Sequence, residues 1–333
     1  MAKLNLPSFW YATDDNDTSP IMSKALWPIS KLYRAGCVFN NVITRQKKSP
    51  LPIICIGNLT MGGAGKTPTA RAIMKLVEDH DKFHTICFMM RGYGGRNKGP
   101  VEVDPTIHTA WDVGDEALMQ ARYAHVIVAS NRYEGAVLAQ SQGYDLIIMD
   151  DGFQNPQLEK DLSFIVVDGG FGFGNGSVFP SGPLREPVKN GTKRANAAII
   201  VNRQDGIDLS ALGRFKQYDA DIKIHTEGLE DNASKKIIAF AGIARPEKFF
   251  DSLETNGYHL HAHYAYPDHH VYTHGDLDKL VLRAKKANAQ LITTEKDWIR
   301  LSNKWRDKVS YLKISIELDD RFKQALFRAL DKL

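Results

Sequence analysis

Cysteine is scarce in this chain. Its 333 residues include three, Cys37, Cys55 and Cys87, at no metal-ligand spacing. Cys55 and Cys87 each lie in an apolar run and read as buried thiols, which fits a reducing compartment and argues against a disulfide framework. Long apolar runs are missing too. No uncharged apolar stretch reaches the ~18 residues that a bilayer span needs. The first residues lack the apolar core of a signal peptide: Lys3 precedes Leu4, Asn5, Leu6 and Pro7, and then Asp14, Asp15 and Asp17 follow. The chain is therefore expected to stay in the cytoplasm. A strong net charge is also absent. The value of +4, with 25% charged and 43% hydrophobic residues, is ordinary for a globular protein and does not by itself point to nucleic acid. Internal repeats and low-complexity tracts are not seen.

One stretch lacks acid altogether. Residues 23–48 carry Lys24, Lys31, Arg34, Arg45, Lys47 and Lys48 and no Asp or Glu. Before it, residues 1–22 read as irregular and polar. From Ile29 onward the spacing is helical. Ile29, Leu32, Tyr33, Gly36, Phe39 and Ile43 share one face; Lys31, Arg34, Asn41 and Arg45 share the other. Such a helix, headed by Trp27, either packs its apolar face on the protein body or lies on an anionic membrane.

Beyond residue 50, short apolar runs alternate with helical patterns. Strands are expected at 53–56, 84–90, 126–129, 146–149, 164–168 and 197–201, and helices at 66–78, 115–123 and 131–142. After about residue 217 the alternation restarts, with strands near 237–240, 258–264, 291–293 and 309–314 and helices near 249–256, 276–288 and 320–333. Alternation of this kind implies a parallel sheet covered on both faces. The Gly- and Pro-rich residues 169–192 read as a long functional loop. At roughly 100–200 residues per domain, the length suits two cores. The expected division is 1–48, 49–217 and 218–333.

Between the first strand and first helix lies Gly62-Gly63-Ala64-Gly65-Lys66-Thr67. The pattern G-x-x-x-x-G-K-[ST] wraps backbone N–H groups around a phosphate chain. Its Lys reaches the β- and γ-phosphates and its hydroxyl binds Mg²⁺. A strand before and a helix after aim the helix N-terminus at the anion. Thr60 stands where the first glycine is usual, and Gly62 and Gly63 are expected to supply the backbone freedom instead. Asp150 and Asp151 close the run 146–149, where a metal-holding carboxylate belongs. Asp115 and Glu116 follow Gly114 at a helix start. They either complement the helix dipole or act as a base or metal ligand. Arg91, Arg96 and Arg185 lie on loops after strands and are candidates for clamping phosphate.

Two further signals compete. His259, His261 and His263 alternate and would share one face of a strand, without a clear carboxylate or cysteine to complete a zinc site. Asn202-Arg203-Gln204-Asp205 is similar to the guanine-reading Asn-Lys-x-Asp of small G proteins. It supports an alternative, a P-loop GTPase or metallochaperone.

The ordered set of motifs resembles the tetraacyldisaccharide 4′-kinase family. It comprises Gly57 through Pro68, Arg91-Gly92-Tyr93-Gly94, Val113-Gly114-Asp115-Glu116, Asp150-Asp151-Gly152-Phe153-Gln154, Gly182 through Pro187, Pro267-Asp268-His269 and Thr293 through Asp297. Thr60 belongs to that family's own pattern. The chain departs from it at Asn155, where the family has His. The resemblance implies an α/β fold: a P-loop NTPase-type parallel sheet with helices on both faces, a second smaller α/β domain and an N-terminal amphipathic helix. It also implies transfer of the γ-phosphoryl group of ATP, with Mg²⁺, to the 4′-hydroxyl of an acylated disaccharide 1-phosphate. Asp115 would be the base, paired with His269, with Lys66 and Arg185 on the phosphates. Thr60, Gly62, Gly63, Ala64, Gly65, Lys66, Thr67 and Pro68 would hold the nucleotide, and Thr67, Asp150, Asp151 and Glu116 the metal. A membrane-borne substrate favours the bilayer reading of the basic helix, on the cytoplasmic face of a bacterial inner membrane. No nucleic acid and no obligate protein partner are expected.

Overall fold

The computed structural model describes residues 7–10, 19–225 and 236–333. The first half runs α1 (Ser19–Ile43), β1 (Ile53–Gly57), α2 (Lys66–Asp79), β2 (Ile86–Met90), β3 (Val101–Glu102), α3 (Ala110–Val113), α4 (Asp115–Gln120), β4 (His125–Val128), α5 (Arg132–Ser141), β5 (Leu146–Asp150), β6 (Leu162–Asp168), α6 (Val188–Thr192) and β7 (Ala197–Val201). The second runs β8 (Gln217–His225), β9 (Lys236–Ala241), α7 (Pro246–Thr255), β10 (Leu260–Ala265), α8 (His274–Ala287), β11 (Ala289–Thr294), α9 (Glu295–Trp298), α10 (Asn303–Arg306), β12 (Ser310–Leu318) and α11 (Asp320–Leu330).

The strands form one sheet in the order β10-β9-β11-β12-β8-β7-β6-β1-β5-β2-β4-β3. Pairing is parallel except at β12–β8 and β3–β4. Strands β1, β2, β5 and β7 are buried along their whole length. Their alternate residues enter two cores, Ile54, Ile56, Phe88 and Ile148 on one face and Ile53, Cys55, Met89 and Ile147 on the other. Helices therefore cover both faces, as continuous aliphatic strands require. The β9–β11 half repeats the device, with Ile237 and Ala239 facing one core and Ile238 and Phe240 facing another. α11 returns to the first core, where Phe322, Leu326 and Leu330 pack with residues of α2.

The helix α1 begins ten residues before the expected Ile29 and carries Pro28 within it. Of the irregular stretch expected over 1–22, residues 1–6 and 11–18 lie outside the described residues, and 19–22 are helical. Its inward stripe also differs from expectation. Ser23, Leu26, Ser30, Tyr33 and Cys37 face the body, at helical spacing, while Ile29, Leu32, Phe39 and Ile43 are exposed. Ser30 is 4% exposed and donates to the carbonyl of Val178 at 2.8 Å. Its hydroxyl also accepts from the Ser181 N–H at 3.1 Å, and the Tyr33 ring meets Phe179 at 5.4 Å. Hydrogen bonding to the loop's backbone groups, together with Tyr33 packed on the apolar core, fixes the helix. Among the described residues no helix is long and apolar enough to cross a membrane.

Candidate active site

The candidate residues lie beyond the carboxyl ends of parallel strands, the phosphate loop after β1, Asp150 and Asp151 at β5, Arg185 after β6, His269 after β10 and Lys296 after β11, the usual place for a ligand in such sheets. Strand β1 ends at Gly57, where a Cβ would lie 2.3 Å from Cβ of Phe153. Only glycine lets the turn after β5 close on the phosphate loop. Residue 60 needs no glycine, because Thr60 bridges Leu184 in antiparallel fashion. Flanking bonds complete this zipper: Met61 N–H donates to Pro183 at 2.7 Å and Arg185 N–H to Leu59 at 2.7 Å. The left-handed positions are Gly62 (φ 102°) and Gly65 (φ 81°), whereas a Cβ on Gly63 would meet nothing. The backbone freedom expected at Gly62 and Gly63 thus resides at Gly62 and Gly65. Gly65 caps α2, whose first residues are Lys66, Thr67 and Pro68. Proline is tolerated there because first-turn N–H groups lack helical partners.

The Thr67 hydroxyl donates to Asp150 Oδ2 at 2.7 Å. Asp150 is 2% exposed, and its Oδ1 has no hydrogen-bond partner. Burial pushes its carboxyl up to about 7; Thr67 opposes this, while Glu116 and Asp151 add to it. A buried carboxylate oxygen with no donor, beside a hydroxyl, is the hard-oxygen set that Mg²⁺ takes together with phosphate and water. Among the described residues no three His, Cys, Asp or Glu side chains converge on one metal position. Asp151 takes a left-handed φ of 54°. It lies 3.6 Å from Lys66 Nζ and accepts the Arg185 fork, Nη1 at 2.9 Å and Nη2 at 3.3 Å. Burial raises its carboxyl, but Lys66 and Arg185 outweigh that and hold it below the usual range.

Asp115 opens α4 after Gly114, whose φ of 89° suits glycine and where a Cβ would strike the Tyr93 carbonyl at 2.4 Å. The loops carrying Arg91 to Gly95 and Val113 to Glu116 are thereby locked together. Asp115 Oδ2 lies 3.1 Å from His269 Nδ1, and Oδ1 accepts from the Glu116 N–H at 2.9 Å. Lys296 Nζ donates to Glu116 Oε1 at 2.9 Å and lies 3.3 Å from His269 Nε2. Arg300 donates to Asp115 Oδ2 through Nε at 2.9 Å and Nη2 at 2.5 Å. Burial would raise the Asp115 carboxyl, yet the His269 hydrogen bond, Lys296 and Arg300 hold it well below the carboxylate range. His269 Nδ1 also lies 3.3 Å from Arg300 Nη2, so the ring sits among Asp115, Lys296 and Arg300.

The phosphate loop, Asp150, Asp151 and Arg185 are thus linked by direct contacts, as are Asp115, Glu116 and His269. Lys296 as part of this network and Arg300 were missed in the sequence. Their i, i+4 spacing after a capped turn was the available signal, but nothing in the sequence says that this turn faces α4. Other candidates lie apart. Arg96 stacks over Trp111 at 4.8 Å. His261 and His263 are exposed on β10, and His263 stacks on Phe250 at 4.6 Å. Asn202 Oδ1 accepts from the Ile222 N–H at 2.7 Å, and Arg203 Nε donates to Asp219 at 2.7 Å, so both are engaged in joining β7 to β8. Asn155 shapes a turn, accepting from the Gln157 N–H at 3.0 Å. Cys55 and Cys87 are buried, and burial pushes both thiols up to about 12.

A family model described as tetraacyldisaccharide-1-P 4′-kinase matches residues 22–331. The tetraacyldisaccharide 4′-kinase of Parvibaculum lavamentivorans is 42% identical over 320 residues, covering 93% of this chain and 92% of that protein. That of a Methylorubrum extorquens strain is 40% identical over 330 residues, covering 98% and 99%. The solved structure of LpxK from Aquifex aeolicus in complex with ATP superposes with a TM-score of 0.71 at 24% identity, over 92% of this chain and 99% of that one.

Proposed function

This chain belongs to the tetraacyldisaccharide-1-P 4′-kinase family, and from that premise we propose how its own residues transfer a phosphoryl group. ATP is the donor and the 4′-hydroxyl of an acylated disaccharide 1-phosphate the acceptor. The hydroxyl oxygen bonds to the γ-phosphorus, the bond to the β–γ bridging oxygen breaks, ADP leaves, and the hydroxyl proton passes to Asp115. The contact of 3.1 Å between Asp115 and His269 carries this reading, because it joins a carboxylate of the first half to a histidine of the second. Asp115 is a weak base. That suffices where the transition state is loose and the nucleophile keeps its proton until late. His269 holds the carboxylate through Nδ1. The loop from Thr60 to Pro68 cradles the phosphates, with Lys66 and Arg185 free to exchange Asp151 for phosphate oxygens.

Thr67 and Asp150 would hold Mg²⁺, with Asp151 and Glu116 as the further carboxylates near it. When bound, the ion neutralises charge on the β- and γ-phosphates. The proposed division is an N-terminal segment 1–48, a kinase core 49–217 and a smaller unit 218–333 over the cleft, whose α11 packs back on the core. The exposed Ile29, Leu32, Phe39 and Ile43 of α1, flanked by Lys31 and Arg34, suit the anionic cytoplasmic face of a bacterial inner membrane, with peripheral or monotopic attachment.

The test is purified protein with radiolabelled ATP and a panel of lipid A precursors. Asp115→Asn is expected to lower kcat by about 10²–10⁴-fold, the usual contribution of a placed base. Lys66→Ala is expected to abolish transfer. GTP-selective hydrolysis without lipid phosphorylation would reject the kinase reading in favour of the GTPase alternative.

A further inference from the structure

We infer that Arg300 is a positioning residue for this transfer, fixing which oxygen of Asp115 receives the substrate proton. The inference rests on the reading of Asp115 as base.

The guanidinium is held at both ends. Nη1 donates to Asp297 Oδ1 at 3.0 Å and to the Gly242 carbonyl at 3.1 Å. Asp297 is fully buried and itself fixed by Gly242 N–H at 3.0 Å, Tyr272 Oη at 3.0 Å and Thr294 Oγ1 at 2.7 Å. One edge of the arginine is therefore tied to a fixed anchor made by Asp297 of α9 and Gly242 after β9. The opposite edge, Nε and Nη2, meets Asp115 Oδ2 at 2.9 and 2.5 Å.

The consequence lies in the acceptor capacity of the carboxylate. Each oxygen offers two lone pairs. Oδ2 already faces both arginine N–H groups and His269 Nδ1, whereas Oδ1 holds a single donor, the Glu116 N–H at 2.9 Å. Oδ2 is saturated, and one lone pair remains on Oδ1. The fork blocks the carboxylate from turning about its Cβ–Cγ bond, so the hydroxyl meets the same free lone pair at each turnover. Arg300 comes from the turn after α9 and Asp115 from α4, so docking of the second half on the first sets the base. Lysine at this place cannot supply the fork and the anchor together, because its donors radiate from one nitrogen.

The experiment is a kinetic double-mutant cycle on the full chain with Arg300→Met, Asp115→Asn and the double variant, with Arg300→Lys alongside. Arg300→Met is expected to lower kcat by about 10²-fold, the scale of a misplaced catalytic group, with KM for ATP and lipid within about threefold of wild type on the same reasoning. Arg300→Lys should fall between. In the Asp115→Asn background Arg300→Met should add less than about threefold, since its effect passes through the carboxylate. Wild-type kcat in Arg300→Met would overturn the inference. So would an equal loss in both backgrounds, which marks a merely structural role. Wild-type turnover in Asp115→Asn alone would instead overturn the base reading and the inference with it. Should Arg300→Met not fold, as judged by thermal melting, Arg300→Lys carries the same cycle.

Discussion

At the residue scale, Asp150 carries the most testable electrostatics. A carboxyl ordinarily near 4 that burial pushes to about 7 is a protonated acid in the native state where the unfolded chain has already released its proton. Native protein then binds more protons than unfolded across that interval, so its contribution makes stability fall as pH rises from about 4 to about 7. Asp150→Asn removes the slope and keeps an acceptor for Thr67. Without magnesium at pH 8 the variant is expected to melt above wild type, and added Mg²⁺ should raise the melting temperature of wild type only. A variant that melts lower at pH 8 would contradict this. The type and place of Asp150 were legible, because an acid closing a buried strand beside a phosphate loop has few other uses. Its orphaned oxygen was not, since that depends on side chains from β5 and α2 meeting.

At the element scale, α1 shows a stripe that composition hides. Helical periodicity in the sequence groups Tyr33 with Phe39 and Ile43, but the structure turns Tyr33 and Ser30 inward and leaves Leu32 73% exposed. Hydropathy ranks serine as surface, yet here serine finds the unpaired backbone groups of residues 178 and 181. Ser30→Ala is therefore expected to cost about 1–3 kcal/mol, the penalty of leaving buried groups unsatisfied, read from urea unfolding. The exposed stripe predicts a separate outcome. Leu32→Glu with Phe39→Glu should lower cosedimentation with anionic vesicles and leave melting unchanged, whereas deleting residues 1–45 would also uncover the loop beneath. Binding should weaken as ionic strength rises, because exposed charges are screened. Vesicle binding equal to wild type in the double glutamate variant would rule out the membrane face.

At the scale of the whole molecule, the sheet is continuous because β8 pairs with β7 on one side and β12 on the other. β8 was missed although Tyr218, Ala220, Ile222 and Ile224 alternate with Asp219, Asp221 and Lys223, the period-2 pattern of a strand with one polar face. Across this junction Glu295, at the start of α9, takes Arg71 Nη1 at 3.1 Å and the hydroxyl of Tyr123. Glu295→Gln leaves Arg71 without its counter-charge. It is expected to lower unfolding stability by about 3 kcal/mol, as for breaking a buried pair, with faster amide exchange at the ends of α9 and α4. Unchanged exchange there would mean that this contact does not hold the halves together.

The sequence by itself determined the strand–loop–helix of the phosphate loop and the places of most buried strands along the chain, and it named candidate residues that the structure brings together. These are local matters, set by apolar period, glycine and capping within a few positions. Thr60 was readable only as part of an ordered pattern, and the structure supplies its physical cause, a backbone zipper to Leu184. The pairing of Asp115 with His269 was implied by the family resemblance; what only the tertiary structure decided is which other side chains meet across large sequence separations: Asp115 with Arg300, Thr67 with Asp150, Ser30 with residue 178. Such contacts come from the crossing of elements, and no spacing along the chain encodes where two elements cross.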